Sequence, residues 1–89
     1  MPLQPVFTSR FQKDVELAKR RRKNIDKLKA AILLLINQQA LEFRYHDHWL
    51  TGNYGSRREC HIEPDWLLIY KPMEALIVFE RTGSHSDLY

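Results

Sequence analysis

The feature that most constrains this chain is the absence of glycine and proline between Pro5 and Gly52. A stretch of this kind permits long helices and disfavours tight turns. Apolar residues recur within it at helical spacing in two runs, the second of which begins at Ile25. We therefore expect two helices, the first of them capped by Thr8 or Ser9.

The two predicted helices are separated only by Lys23-Asn24, the expected end of the first. So short a connection predicts an antiparallel helix hairpin with the basic run 19–23 at its tip. The second helix becomes apolar on most of its surface over residues 30–36. This run is far below the ~20 residues that span a bilayer, so we expect a buried helix and no membrane association.

After Gly52 the pattern changes from helical periodicity to turn signals and alternation. Residues 51–56 predict a loop, and three strand-like runs follow it: Arg57–Glu63, Trp66–Lys71 and Ala75–Thr82. Their short connections predict an antiparallel meander, to which Val6-Phe7 adds an edge strand. The expected fold class is α+β: a short N-terminal strand, the helix hairpin, the meander with the helices packed on one face, and a polar tail.

The length of 89 residues predicts a single domain, 1–89. A single cysteine, Cys60, cannot form an internal disulfide, which excludes a disulfide-stapled secreted scaffold and favours a reducing compartment. Residues 1–6 lack the apolar segment of a signal peptide. We therefore expect a cytoplasmic protein.

Charge is divided unevenly along the chain. Residues 1–45 hold ten basic and four acidic residues, a net +6, whereas residues 46–89 have a net charge of −3. All four histidines lie in the second half: His46, His48, His61 and His85. A positive block suits a polyanion and histidines suit proton transfer. The run Arg20-Arg21-Arg22-Lys23 is therefore a candidate phosphate contact, the alternative being a solvated helix end.

The sheet half of the chain has a concentration of ionisable side chains. Period-two alternation places Glu59 and His61 on one face of the first meander strand. Asp65 opens the next strand and should lie at the same rim as His61. Arg81 closes the third strand, and His85 follows it. Trp66 is either a core residue or a platform on which a base stacks.

Metal and acyl-transfer sites fit the sequence less well. Cys60 and His61 point to opposite faces of a strand, and the chain has no CxxC or HExxH spacing. No serine lies in a GxSxG setting. We therefore expect neither a metal nor a cofactor.

Histidines, a carboxylate and an arginine can together cleave RNA without a metal. The ribose 2′-hydroxyl is already tethered beside its own phosphate, so the protein needs only to move protons and stabilise charge. Histidine, with an ordinary pKa of about 6.5, can accept one proton and donate another. Arg81 would stabilise the negative charge that develops on the phosphate.

Four stretches of the sequence resemble a known family. They are Asp47-His48, Leu50-x-Gly52, His61-Ile62-Glu63-Pro64-Asp65-Trp66-Leu67-Leu68-Ile69-Tyr70 and Arg81-Thr82-Gly83-Ser84-His85. Together with a basic helix hairpin, they resemble the YafQ branch of the RelE/ParE superfamily of bacterial type II toxins. The resemblance implies a ribosome-dependent mRNA interferase that cuts messages in the ribosomal A site. It also implies inhibition by a cognate antitoxin of the DinJ or RelB type.

The resemblance further implies which residues are functional. They are His48, His61, Asp65, Trp66, Arg81, His85 and Tyr89, with His85 as the principal catalytic histidine. Tyr89 stands where phenylalanine is usual, and a phenol can still stack on a base. The alternative is a binding module that cuts nothing, such as a ParE-like member of the superfamily that acts on gyrase.

Overall fold

A computed structural model describes all 89 residues of the chain. Helix α1 spans Ser9–Arg20, and the side chain of Thr8 caps it by accepting a 3.0 Å hydrogen bond from a backbone N–H of its first turn. Helix α2 spans Ile25–Ile36, and the side chain of Asn24 caps it in the same way. The two predicted helices therefore form, each with an N-cap of the expected type.

Five strands make one sheet with the order β1-β5-β4-β3-β2. Their bounds are Gln4–Phe7 for β1, His48–Trp49 for β2, Arg58–Glu63 for β3, Trp66–Pro72 for β4 and Leu76–Gly83 for β5. Strand β1 pairs with β5 in parallel, and all other neighbours are antiparallel. The predicted α+β class is confirmed, with the meander and the N-terminal edge strand at the expected positions.

Four short elements were not predicted from the sequence. They are strand β2, two 3₁₀ turns at Phe43–Tyr45 and Gly52–Tyr54, and helix α3 at His85–Leu88, which occupies the predicted polar tail. None of the helices has the length and apolar character needed to cross a membrane.

The two faces of the sheet are covered differently. On one face, residues such as Cys60, Leu68 and Phe79 pack with α1 and α2 in the main core. On the other face, Leu67 and Ile69 form a smaller apolar cluster with Leu88 of α3. Because side chains alternate along a strand, the polar residues of β3 that separate the core residues point to this second face.

The strand register aligns polar residues in one row across the second face. His48 of β2 lies opposite Glu59 of β3, Glu59 lies opposite Ile69 of β4, and Ile69 lies opposite Arg81 of β5. The register shifts after Ile69: Tyr70 pairs with Phe79, so Glu80 is left without a partner on β4. The row therefore brings His48, Glu59 and Arg81 to the same face of the sheet.

Candidate active site

The second face of the sheet, which carries His48, Glu59 and Arg81, is called the polar face here. A buried carboxylate, Glu59, lies at its centre. The residue is 5% exposed and its Oε1 accepts a 2.7 Å hydrogen bond from the hydroxyl of Tyr89. Its Oε2 lies 3.4 Å from Nε2 of His48 and 3.7 Å from Nε2 of His61. A buried carboxylate requires such partners. The period-two alternation of β3 predicts the correct face for Glu59, but Glu59 was not among the predicted site residues, although it stands two residues before His61.

The four histidine rings form a continuous series on this face. The ring centroid of His61 lies 5.6 Å from that of His46, 6.4 Å from that of His48 and 6.0 Å from that of His85. The ring of Tyr89 extends the series, 6.3 Å from His85. The structure thus brings together the three histidines selected from the sequence and adds His46, which was noted there but not selected.

Asp65 holds His85 rather than His61. Its Oδ1 accepts hydrogen bonds from the backbone N–H of His85 at 2.9 Å and from the Nδ1 of His85 at 2.7 Å. These two bonds, the backbone one first, lower the pKa of Asp65 below its ordinary value. Both side chains are largely exposed. The contact fixes the orientation of the imidazole and leaves its Nε2 directed away from Asp65.

Helix α3 positions both His85 and Tyr89. Ser84 and Asp87 form a reciprocal capping box at its start. The carboxylate of Asp87 also accepts hydrogen bonds of 2.6 and 3.2 Å from the guanidinium of Arg21, at the tip of the helix hairpin. Arg21 and the Ser84 backbone hold the pKa of Asp87 well below its ordinary range. The Ser84-x-x-Asp87 spacing was the sequence signal for this missed helix.

Arg81 lies on the polar face but is not free. Its Nε and Nη2 donate to the carboxylate of Asp14 on α1, at 2.7 and 3.1 Å, and both side chains are mostly buried. This pairing raises the pKa of Arg81. Nη1 makes no hydrogen bond within the chain. Asp14 was not recognised from the sequence as a partner of this arginine.

The expectation that Trp66 contacts RNA is wrong for this structure. The residue is 1% exposed and belongs to the main core on the helix side of the sheet. Its Nε1 donates a 2.9 Å hydrogen bond to Oγ1 of Thr82, which in turn donates at 2.7 Å to the backbone oxygen of Leu67. A ring enclosed in this way has no open face for a base.

The basic run at the hairpin tip is divided between two roles. Arg21 binds Asp87, and Lys23 lies 3.4 Å from a carboxylate oxygen of Glu63. Arg20 and Arg22 are exposed and form no ion pair. Of the four predicted phosphate contacts, Arg20 and Arg22 therefore have unengaged side chains, while Arg21 and Lys23 form ion pairs within the chain.

Tyr89 is held from two sides although it ends the chain. Its hydroxyl donates a hydrogen bond to Glu59, and its ring packs against that of Tyr54 in a T-shaped arrangement with a centroid distance of 5.6 Å. Partial burial, followed by the bond to Glu59, raises the pKa of Tyr89 above its ordinary value. The residue is nevertheless 62% exposed, so it is accessible to a ligand.

The imidazoles and carboxylates of the polar face are not gathered around one point. No group of three histidine, cysteine or carboxylate side chains is placed to hold one metal ion. Cys60 is buried in the core on the opposite face from His61, and burial raises the pKa of its thiol. The polar face holds a set of imidazoles, three of which lie within 4 Å of a carboxylate, beside an arginine.

Comparison with known proteins places the chain in a family. Residues 3–89 match the family described as the bacterial toxin of the type II toxin–antitoxin system, YafQ. The mRNA interferase toxin YafQ of Escherichia coli strain K12 is 45% identical over 84 residues, which cover 93% of this chain and 91% of that protein.

Solved structures agree with this assignment. The crystal structure of YafQ from E. coli strain BL21(DE3) superposes with a TM-score of 0.94 at 42% identity, covering 98% of each chain. The toxin in the E. coli DinJ–YafQ toxin–antitoxin complex gives 0.93 at 42% identity, covering 100% of this chain and 99% of that one. The chain therefore belongs to the YafQ family of bacterial type II toxin–antitoxin toxins.

Proposed function

We propose that this chain is an endoribonuclease that cleaves mRNA in the ribosomal A site and thereby arrests translation and growth. The observation that carries the proposal is the pair of imidazoles of His61 and His85, 6.0 Å apart on one face of the sheet. Two rings this close can both contact one phosphodiester. The relative from E. coli K12, 45% identical, is named an mRNA interferase.

The reaction we propose uses the substrate's own ribose. One imidazole accepts the proton of the 2′-hydroxyl as its oxygen attacks the adjacent phosphorus, and another donates a proton to the departing 5′-oxygen. The P–O5′ bond breaks as the 2′-O–P bond forms. The products are a 2′,3′-cyclic phosphate and a 5′-hydroxyl, and no metal ion takes part.

The contacts of each histidine favour a division of roles. Asp65 binds Nδ1 of His85, so neutral His85 presents an unprotonated Nε2 that can accept a proton. Both ring nitrogens of His48 face oxygen acceptors: Nδ1 lies 2.6 Å from the backbone oxygen of His46, and Nε2 faces Glu59. Because both nitrogens of His48 are engaged within the chain, His61, the other ring of the pair, is left to donate the proton to the 5′-oxygen.

Arg81 and Tyr89 complete the proposed site. The Nη1 of Arg81 would stabilise the extra negative charge on the phosphate, and the fixed pairing with Asp14 reduces the reorganisation this requires. The exposed part of the Tyr89 ring would stack on a base. Arg20 and Arg22, which have no partners in the chain, would contact ribosomal RNA.

The second proposed partner is a cognate antitoxin. A relative at 42% identity forms the DinJ–YafQ complex. Since the N-terminal half of this chain has a net charge of +6, the antitoxin should be acidic where it covers this surface.

The test is to map the 5′ ends of mRNA in a translating extract supplied with the purified chain. We expect new ends within codons, 5′-hydroxyl groups at those ends, and no cleavage of the same mRNA without ribosomes. His85→Ala should abolish the ends, whereas Lys29→Ala, at an exposed position on α2, should not. Intact messages with wild-type protein would contradict the proposal. If cells that express the chain stop growing but the extract shows no such ends, a target such as gyrase would be favoured instead.

A further inference from the structure

An open groove of about 1010 Å³ lies beside the histidine series, and the reaction described above does not use all of it. His48 and His61 form part of its wall. The wall continues through Phe43, Arg44 and His46, in and just after the first 3₁₀ turn. Because His61 belongs to both the groove and the imidazole pair, a ligand in the groove would adjoin the scissile phosphate.

Phe43 presents an apolar ring to solvent at the edge of this groove. The residue is 91% exposed, although it is a large hydrophobic side chain. Its neighbour Tyr45, on the same short turn, is buried in the core. The core therefore anchors the turn through Tyr45 and leaves the ring of Phe43 free to bind a ligand.

His46 links Phe43 to the histidine series. Its ring lies 5.6 Å from the ring of Phe43 and 5.6 Å from that of His61. Its backbone is in the left-handed region, with φ of 47°, which is uncommon for a residue other than glycine. Its carbonyl also accepts the hydrogen bond from His48. This backbone conformation places the ring of His46 along the groove, and the carbonyl of His46 orients the ring of His48.

The acidic residues of the groove wall are already compensated. Asp47 accepts hydrogen bonds from the guanidinium of Arg58 at 3.0 and 3.3 Å. Glu63 lies 3.1 Å from Nζ of Lys27, and this contact above all lowers its pKa. The remaining acid in the wall, Glu42, forms an exposed ion pair with Arg44, whose Nε lies 3.3 Å from its carboxylate. What the wall offers to a ligand is imidazoles and an aromatic ring, a combination that suits a nucleotide.

We propose that this groove is a nucleotide subsite, in which the ring of Phe43 stacks on the base next to the scissile phosphate and His46 contacts the neighbouring phosphate. The inference rests on the proposed function and adds two RNA-contacting residues to it. Base stacking on an aromatic side chain is tolerant of sequence, because every base has a π-face. The subsite would therefore hold the strand in place without selecting a base.

The test is single-turnover cleavage on programmed ribosomes over a range of toxin concentrations. Phe43→Ala should raise the half-saturating concentration by about fivefold or more, with a smaller effect on the rate at saturation. Phe43→Trp should restore the wild-type value. Met73→Ala, at an exposed apolar position between β4 and β5, is the matched control and should behave as wild type.

The outcomes separate this inference from the function on which it rests. Wild-type protein that leaves the message intact would overturn the proposed function. Wild-type cleavage with the same half-saturating concentration for Phe43→Ala would overturn the subsite alone. A Phe43→Ala variant that cleaves normally but binds its antitoxin more weakly would show a protein-binding groove and would also overturn the subsite.

Discussion

The Thr82→Val substitution tests how much the two buried hydrogen bonds between Thr82 of β5 and strand β4 contribute to the free energy of unfolding. Thr82 is 2% exposed, accepts from Nε1 of Trp66 at 2.9 Å and donates to the oxygen of Leu67 at 2.7 Å. Valine keeps the shape of the side chain but removes both bonds. An unpaired buried donor costs ~1–3 kcal/mol and the second bond contributes ~1 kcal/mol, so the free energy of unfolding should fall by about 2–4 kcal/mol.

Urea denaturation followed by circular dichroism measures this loss directly. In a domain of this size each kcal/mol corresponds to roughly 4–8 °C, so the melting temperature should fall by at least roughly 8 °C. Thr51→Val is the matched control: Thr51 is exposed and makes no side-chain cap, so its substitution should change stability by no more than about 0.5 kcal/mol. A similar small change for Thr82→Val would refute the reasoning.

A second variant separates stability from RNA binding. Trp66→Phe also removes the bond to Thr82, so the effects of Trp66→Phe and Thr82→Val on stability should not add. Because Trp66 is enclosed in the core, cleavage per folded molecule should be unchanged in the Phe variant. A loss of cleavage larger than the loss of folded protein would show that Trp66 does contact RNA.

Three further substitutions test other contacts of the polar face. Asp65→Asn weakens the hydrogen bond that orients the imidazole of His85. The cleavage rate should therefore lose part of the ~10²–10⁴-fold contribution of a general acid–base group. A wild-type rate would argue against positioning by Asp65. Arg21→Ala removes the main cause of the lowered pKa of Asp87. Because the pKa of Asp87 is lowered in the folded chain, its carboxylate stabilises the fold above the pKa of the unfolded chain, about 3.9, and this stabilisation is lost as the pH falls. Hydrogen exchange should therefore show α3 opening at a higher pH in the variant than in wild type. Identical profiles would contradict this. Tyr89→Phe removes a group whose raised pKa stabilises the fold below about pH 10 and ceases to do so at higher pH. Wild type should therefore lose stability above pH 10 more steeply than the variant in urea denaturation, and parallel curves would exclude the effect.

The fold could be predicted from the sequence because its periodicity changes once. Helical spacing ends before Gly52, and alternation begins soon after it. The alternation on β3 also gave the correct face for Glu59 and His61, since a strand fixes which neighbours share a side. Local patterns of this kind depend only on residues close in sequence.

The partners of the site residues could not be predicted in the same way. Arg81 pairs with Asp14, 67 positions away, and the pairing depends on how α1 lies against β5. His85 binds Asp65 only because α3 turns the tail back over the sheet. Trp66 stands between the charged residues Glu63 and Asp65 and an apolar strand, where the sequence does not distinguish a core residue from an exposed platform.

The central claim is that imidazoles on one sheet face cut RNA by activating the substrate's own 2′-hydroxyl. The most direct measurement uses ribosomes programmed with an mRNA that carries a single 2′-deoxy nucleotide on the 5′ side of the mapped cleavage position. We predict that this bond stays intact, while an all-ribose message is cut there and yields a 2′,3′-cyclic phosphate. Cleavage of the deoxy-substituted bond, or a 3′-hydroxyl product, would contradict the mechanism.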